Sequence, residues 1–144
     1  ASRGKRLQTN LVLAYEDPLD RIKEHKEIIE LDEIKIDNQK YWKEVISAMQ
    51  NVMQGNGTAR NVGKDAPYRM AGKSGTVQVI SVGQEEEYDE ENIEEKFRDH
   101  ALFISFAPIE SPKIAVSVII ENGQSGSQVA APIAKAIMDK YLGY

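Results

Sequence analysis

Between Asp37 and Met53 the apolar residues Trp42, Val45, Ile46, Met49, Val52 and Met53 recur at three- and four-residue intervals. That spacing predicts one apolar stripe along a helix. Asp37 or Asn38 is placed to cap the exposed first-turn N–H groups. Gly55 is placed to end the helix in the left-handed backbone region, and Gly55-Asn56-Gly57-Thr58 reads as a turn. A stripe carrying Trp42 and two methionines reads as core rather than as a cofactor site. Leu11 to Tyr15 is a short apolar run with the look of a strand. From Asp17 to Asp37 the pattern is mixed: Leu19, Ile22 and Ile29 suit a helix, whereas Ile34 and Ile36 alternate like a strand.

Three strands are predicted downstream: Tyr68 to Ile80, His100 to Ala107, and Lys113 to Glu121. Ile109-Glu110-Ser111-Pro112 is a short turn-like connection between the last two, which predicts an antiparallel hairpin. Ala115 to Ile120 is almost continuously apolar, so the third strand is expected to be central and buried on both faces. Ser127 to Leu142 closes the chain as an amphipathic helix lying across the sheet. Val129, Ile133, Ile137 and Tyr141 repeat every four residues in it, beside Ala130, Ala134 and Met138. Pro132 belongs in its first turn, where a missing N–H costs little.

Composition narrows the function classes. The chain has 144 residues, 41% hydrophobic and 28% charged, with a net charge of −5. That describes one globular domain of ordinary size and has the wrong sign for a generic nucleic-acid binder. The absence of cysteine excludes disulfides, thiolate zinc sites, iron–sulfur ligation and a cysteine nucleophile. With His25 and His100 the two histidines, a His-rich metal site is not expected, and no metal or cofactor is implied. No apolar run of membrane-spanning length occurs. Ala1-Ser2-Arg3-Gly4-Lys5-Arg6-Leu7 is not a signal peptide and reads like an excised or proteolytic piece of a longer protein. Gln84 to Asp99 holds nine acidic residues against Lys96 and Arg98. It reads as a solvated loop or short exposed helix; the alternative is a docking patch for a basic partner.

Lys73-Ser74-Gly75-Thr76 carries the candidate chemistry. Alone, Lys-Ser-Gly is a weak signal. Its setting inside a strand, with Gly72 and Gly75 flanking it, marks a place where another backbone approaches closely. Alternation puts Ser74 and Thr76 on one face and Lys73 on the other. An edge strand of this kind can accept an added peptide strand, and its hydroxyls and ammonium could hold a carboxylate.

Four elements in order then resemble the class B penicillin-binding proteins, the peptidoglycan D,D-transpeptidases. Lys73-Ser74-Gly75-Thr76 resembles the third signature of the penicillin-recognising serine enzymes. His100-Ala101-Leu102-Phe103-Ile104-Ser105-Phe106-Ala107-Pro108 resembles the strand that follows it. Glu121-Asn122-Gly123 and Ala130-Ala131-Pro132-Ile133 resemble the end of the next strand and the closing helix. Glu95-Lys96-Phe97-Arg98-Asp99-His100 resembles the cell-elongation subgroup, penicillin-binding protein 2, more than its division counterpart.

The fold this resemblance implies is α+β: an antiparallel sheet with packed helices, with residues 1–144 as the C-terminal portion of one transpeptidase domain of the serine β-lactamase-like type. The family acylates a serine with the D-Ala-D-Ala end of a stem peptide, releases D-Ala and passes the acyl group to an amine. By resemblance, Lys73 supplies positive potential, Ser74 and Thr76 place hydroxyls near the substrate or β-lactam carboxylate, and Gly75 leaves room for the ligand. The backbone N–H of Thr76 would be an oxyanion-hole donor. The family also needs an upstream Ser-x-x-Lys nucleophile and a Ser-x-Asn type motif. No Ser-x-Asn or Ser-x-Asp occurs. Ser2-Arg3-Gly4-Lys5 fits the first pattern but is rejected, because Gly4 is poor inside the helix that a nucleophile opens.

The expectation is therefore an enzyme parent and a fragment inactive alone. Its partners would be stem peptides, β-lactams, the remainder of its own domain, cell-elongation membrane proteins and, through an exposed apolar patch, further copies of itself. The implied location is the periplasmic face of the inner membrane, with the anchor upstream. His100 is expected to be structural, and an Asp99–Glu121 carboxylate pair is rejected. The competing readings are a D,D-carboxypeptidase or serine β-lactamase of the same superfamily, or a non-catalytic αβ module that binds a partner through residues 85–99.

Overall fold

The computed structural model describes residues 1–80 and 93–144. Ser2–Gln39 and Lys40–Tyr144 form two compact units.

The first unit is a nested antiparallel ribbon. Strand β1 (Arg6–Leu7) pairs with β4 (Glu30–Leu31), and β2 (Ala14–Glu16) pairs with β3 (Lys23–His25). The run expected to be a strand from Leu11 begins only at Ala14. The Asn10 side chain explains the delay: its Oδ1 accepts the Val12 N–H at 3.1 Å, a local bond that competes with strand pairing. Asp17 makes the reversal after β2, its carboxylate accepting the Leu19 N–H at 2.7 Å. The undecided stretch from Asp17 to Asp37 thus resolves into two short strands joined by irregular chain.

The second unit holds helix α1 (Lys40–Asn51), the short helix α2 (Arg60–Lys64), strands β5 (Ala71–Val77), β6 (His100–Ala107) and β7 (Ile114–Ile120), and helix α3 (Ala131–Leu142). The strands form one antiparallel sheet in the order β5-β6-β7. The second strand falls on the residues expected, whereas the first is shorter than the expected Tyr68 to Ile80. The Ala107–Pro108 peptide is cis where β6 enters the hairpin connection.

Two apolar clusters sandwich the β5 end of the sheet. Ile46 and Met49 of α1 pack against Ala71, Phe106 and Ile109. Val52 and Met53, one turn on, join the larger cluster around Phe103, Val118 and Met138. Alternation puts Ala71 and Phe106 on one sheet face and Phe103 on the other, so α1 crosses the β5 edge at Ala71–Gly72. Its stripe is core at Met53 but not throughout: Trp42 is half-buried and Val45 is 53% exposed. Gly55 has the expected left-handed backbone, φ 56°, though the helix has already ended at Asn51.

The expectation that the third strand is central is corrected. Strand β6 is central, and β7 lies at the edge among the described residues. Ile114, Val116, Val118 and Ile120 pack into the larger cluster, whereas Ala115, Ser117 and Ile119 are exposed, Ile119 by 61%. Ile119 continues the apolar run on the face that α1 covers at Ala71 and Phe106, but it and Ile104 (51% exposed) lie on a part of that face left more than half open.

The closing helix lies on the sheet through one of its two apolar stripes. It starts at Ala131, after a π-helical turn (Gly126–Ala130), with Pro132 in its first turn. Ala130, Ala131, Ala134 and Met138 face the sheet and are fully buried, whereas Val129, Ile133, Ile137 and Tyr141 are 37 to 63% exposed. Small side chains let the helix lie close against β6 and β7, and that decides the face over the larger side chains' hydrophobicity. Tyr68 fastens the approach to β5 onto α3: its hydroxyl donates to Asp139 Oδ1 at 2.7 Å, while Lys135 Nζ holds Oδ2 at 2.6 Å. The Tyr68 and Tyr144 ring centroids are 5.5 Å apart.

Most of the acidic segment falls on residues 81–92, outside the described residues. Its last part forms a 3₁₀ turn (Glu95–Phe97), with Lys96 paired to Glu94 at 2.7 Å and 4.7 Å above the Phe97 ring.

Candidate functional site

The Lys-Ser-Gly-Thr segment occupies the middle of β5, which lies at the sheet edge among the described residues. Ladder pairing sets Lys73 opposite Ile104, Ser74 opposite Phe103, Gly75 opposite Leu102 and Thr76 opposite Ala101. Lys73 and Thr76 are exposed, and Ser74 and Gly75 are half-buried. The Lys73 ammonium donates to the carbonyl of Ser74, which folds it along the strand rather than into a salt bridge.

Sequence reasoning singled out Ser74 and missed its neighbour. The Thr58 hydroxyl lies 3.4 Å from the Ser74 hydroxyl, brought there by the turn that follows α1. An open cleft beside the β5 edge is lined by Asn51, Val52, Asn56, Thr58 and Lys73. The arrangement offers two hydroxyls and an ammonium at one strand edge, donors suited to an anionic group. Gly55-Asn56-Gly57-Thr58 was legible as a turn, but nothing in a sixteen-residue separation says that it returns to Ser74.

The two glycines near the segment have different reasons. A Cβ on Gly72 would stand 2.6 Å from Phe103 Cζ and 3.1 Å from Met53 Sδ, so Gly72 makes room for the core. Gly75 has ordinary space, Leu102 Cβ being 3.4 Å from where its Cβ would lie. The close backbone approach comes instead from Gly126. Its Cβ would stand 2.2 Å from the Leu102 carbonyl oxygen and 2.7 Å from that of Gly75. The π-helical turn therefore rests directly on the backbone of the segment.

That turn is held from the β6 side. The Asn122 N–H donates to His100 Nδ1 at 2.9 Å, and Asn122 Nδ2 donates to the Arg98 carbonyl at 2.9 Å. Gln124 N–H donates to the Asp99 carbonyl at 2.8 Å. With Nδ1 accepting, His100 serves as a structural anchor, the role expected for it. Ser2, in the Ser-x-x-Lys pattern, lies in a turn closed by Lys5 N–H to Ser2 O at 3.2 Å, ahead of β1, and opens no helix.

Residues 1–139 match the penicillin-binding protein transpeptidase domain family. The chain is 45% identical over 102 residues to the peptidoglycan D,D-transpeptidase MrdA of Haemophilus influenzae, covering 70% of this chain and 16% of that protein. Among solved structures it resembles Pseudomonas aeruginosa PBP2 in complex with WCK 5153, with a TM-score of 0.66 and 41% identity over 82% of this chain and 25% of that one. The ceftriaxone acyl-enzyme of Mycobacterium tuberculosis penicillin-binding protein A shares the fold, with a TM-score of 0.71 at 23% identity over 95% of this chain and 28% of that one. The α+β fold, the ordered matches along the chain and these likenesses agree: the chain belongs to the penicillin-binding protein transpeptidase family, and within it to the class B proteins most like penicillin-binding protein 2.

Proposed function

We propose that this chain is the C-terminal portion of a peptidoglycan D,D-transpeptidase domain and supplies the substrate-binding strand of its active site. The observation that carries the proposal is the Lys73–Thr76 segment at the sheet edge among the described residues, with the Ser74 and Thr58 hydroxyls 3.4 Å apart beside it. A stem peptide or β-lactam lies along β5. Its carboxylate accepts from Ser74 and Thr76 under the positive potential of Lys73. The Thr76 backbone N–H stabilises the oxyanion as a serine elsewhere in the parent attacks the carbonyl. Such a donor is typically worth about 3 to 4 kcal/mol in the transition state.

The serine Oγ forms an ester with the penultimate D-Ala, and the terminal D-Ala leaves as the protonated amine. An amine of a neighbouring stem then displaces the serine. Nucleophile, base and oxyanion donors act as a unit, so these 144 residues alone have no turnover. The parent works at the periplasmic face of the inner membrane, anchored upstream of this segment and alongside cell-elongation proteins.

The test is intact mass after exposure to benzylpenicillin, run on the full-length parent and on this chain. One covalent adduct per parent molecule, on a serine outside residues 1–144, and none on this chain are expected. A folded parent that stays unlabelled, or D-Ala release by this chain alone, overturns the proposal.

A further inference from the structure

His100 is tied into two places at once. It stands opposite Val77 in the ladder, one residue past Thr76, and its Nδ1 accepts the Asn122 N–H at 2.9 Å. Nδ1 accepts only while it carries no proton, so this is the neutral imidazole with its proton on Nε2. Asn122 opens the turn that runs from β7 to Gly126. Asn122 and Gln124 in that turn both have left-handed backbones, each at φ 57°. Residues other than glycine keep that conformation only where neighbours hold it. The stretch from Arg98 to His100 does so: Asn122 is bonded to His100 and to the Arg98 carbonyl, and Gln124 to the Asp99 carbonyl at 2.8 Å.

The far end of the turn reaches the peptide bond between Gly75 and Thr76. A Cβ on Gly126 would stand 2.2 Å from the Leu102 carbonyl oxygen and 2.7 Å from that of Gly75. Two oxygens stand so near one point only where they face each other across the ladder, so the Gly75 carbonyl points at β6. The Thr76 N–H belongs to the same planar peptide and points the opposite way, to the outer edge of β5. Whatever tilts that carbonyl therefore swings that N–H.

We propose that His100 is a positioning residue: its unprotonated Nδ1 holds the Asn122–Gly126 turn, and Gly126 holds the Gly75–Thr76 peptide with the Thr76 N–H aimed at the oxyanion. This rests on the reading of β5 as the substrate-binding strand. Protonating His100 sets one N–H against another, so the bond to Asn122 is lost, the turn loosens and the peptide rocks. Acid then slows acylation through a residue that touches no substrate. The charged groups nearest the imidazole among the described residues are Arg98 and Asp99 beside it in the chain and Glu121, which follows Ile120, the partner of Ala101. Strand β5 presents the uncharged Val77.

The test is the rate of acylation of the full-length parent by benzylpenicillin, followed against pH. His100→Asn keeps an acceptor, its amide oxygen standing in for Nδ1, and cannot be protonated there. His100→Leu has no acceptor. At about pH 8 the asparagine variant should acylate within about twofold of the unmodified parent, and the leucine variant about two- to tenfold more slowly, the span of one neutral hydrogen bond. As the pH falls to about 5, the ratio of unmodified parent to asparagine variant should drop by about two- to tenfold. The nucleophile and its base titrate alike in both, so the ratio isolates residue 100. Exchange of the Gly75 N–H, taken relative to Phe103, should accelerate over the same range in the unmodified parent and not in the asparagine variant. A ratio flat across the range overturns the proposal. Where Gly75 exchange has moved nonetheless, the reading of β5 falls with it; where exchange is flat too, the positioning role falls alone.

Discussion

The hydroxyls of Thr58 and Ser74 lie 3.4 Å apart, sixteen residues distant in sequence. That contact ties the turn after α1 to the strand edge where the anionic end of a ligand is proposed to sit. Thr58→Val in the full-length parent removes a neutral hydrogen-bonding partner worth about 0.5 to 1.5 kcal/mol. The rate of acylation by benzylpenicillin should fall about two- to tenfold, and Thr58→Ser should retain most of it. An unchanged rate for the valine variant would separate Thr58 from the site.

Gly72 should resist even a methyl group. The Cβ of Gly72→Ala would stand 2.6 Å from Phe103 Cζ, and the ring is fully buried with nowhere to retreat. Overpacking of this kind costs about 1 to 3 kcal/mol. Combining it with Phe103→Leu should cost less than the sum of the two single changes, because the shortened side chain vacates the contested space. Strict additivity in urea unfolding would show that the two residues do not compete.

Gly126→Ala should act at a distance in sequence. Its Cβ would meet the Leu102 and Gly75 carbonyl oxygens, both part of the sheet ladder. The turn must lift, and the Lys73–Thr76 backbone loses the support beneath it. Amide exchange at Gly75 and Thr76 should accelerate more than at Phe103, and unfolding should move to lower urea. Uniform acceleration across the sheet would point to general destabilisation instead.

The Tyr68–Asp139–Lys135 cluster gives stability opposite dependences at the two ends of the pH scale. Burial raises the Tyr68 phenol well above the ordinary tyrosine range, and its bond to Asp139 and the negative charges of Asp139 and Tyr144 add to the rise. Its contribution is whole below the ordinary tyrosine pKa, about 10, and is lost as the pH climbs toward the folded-state value. Burial pulls Asp139 upward, but the bonds from Lys135 and Tyr68 and the charge of Lys135 outweigh it and hold the carboxyl below its usual range. That contribution is present above the ordinary carboxylate pKa, about 3.9, and is lost as the pH falls through the folded-state value. Urea midpoints followed against pH should show Tyr68→Phe flattening the alkaline limb and Asp139→Asn flattening part of the acid limb. Unchanged limbs in both variants would remove the cluster from the pH response.

The parts of the fold legible in the sequence were those fixed by local pattern. His100 to Ala107 alternates around residues that all pair, and its bounds read correctly. The hairpin to Ile114 followed from a short connection holding Pro112. The Lys-Ser-Gly-Thr segment was legible as part of a strand, though its glycines alone do not say which strands lie beside it. What failed depended on which neighbour arrives. The apolar run of β7 could not disclose that Ile119 and Ile104 share a part of the sheet face left more than half exposed. The two apolar stripes of α3 could not say that close approach favours alanine over isoleucine at the contact. Thr58 was invisible as a neighbour of Ser74 because their meeting is made by a turn and a helix that crosses the strand.

The bond from Tyr68 to Asp139 spans seventy-one residues. It closes a long loop around β5, and Gly126 presses on the same strand from late in the chain. During synthesis, the Lys73–Thr76 strand therefore emerges long before the two contacts made to it from the C-terminal end of the chain. Helix α1 and strand β6 can hold it before then, but the clamp from Asp139 waits until α3 has left the ribosome. A stop codon ahead of Ala131 would spare every residue from Lys73 to Thr76 and still leave that strand without its anchor.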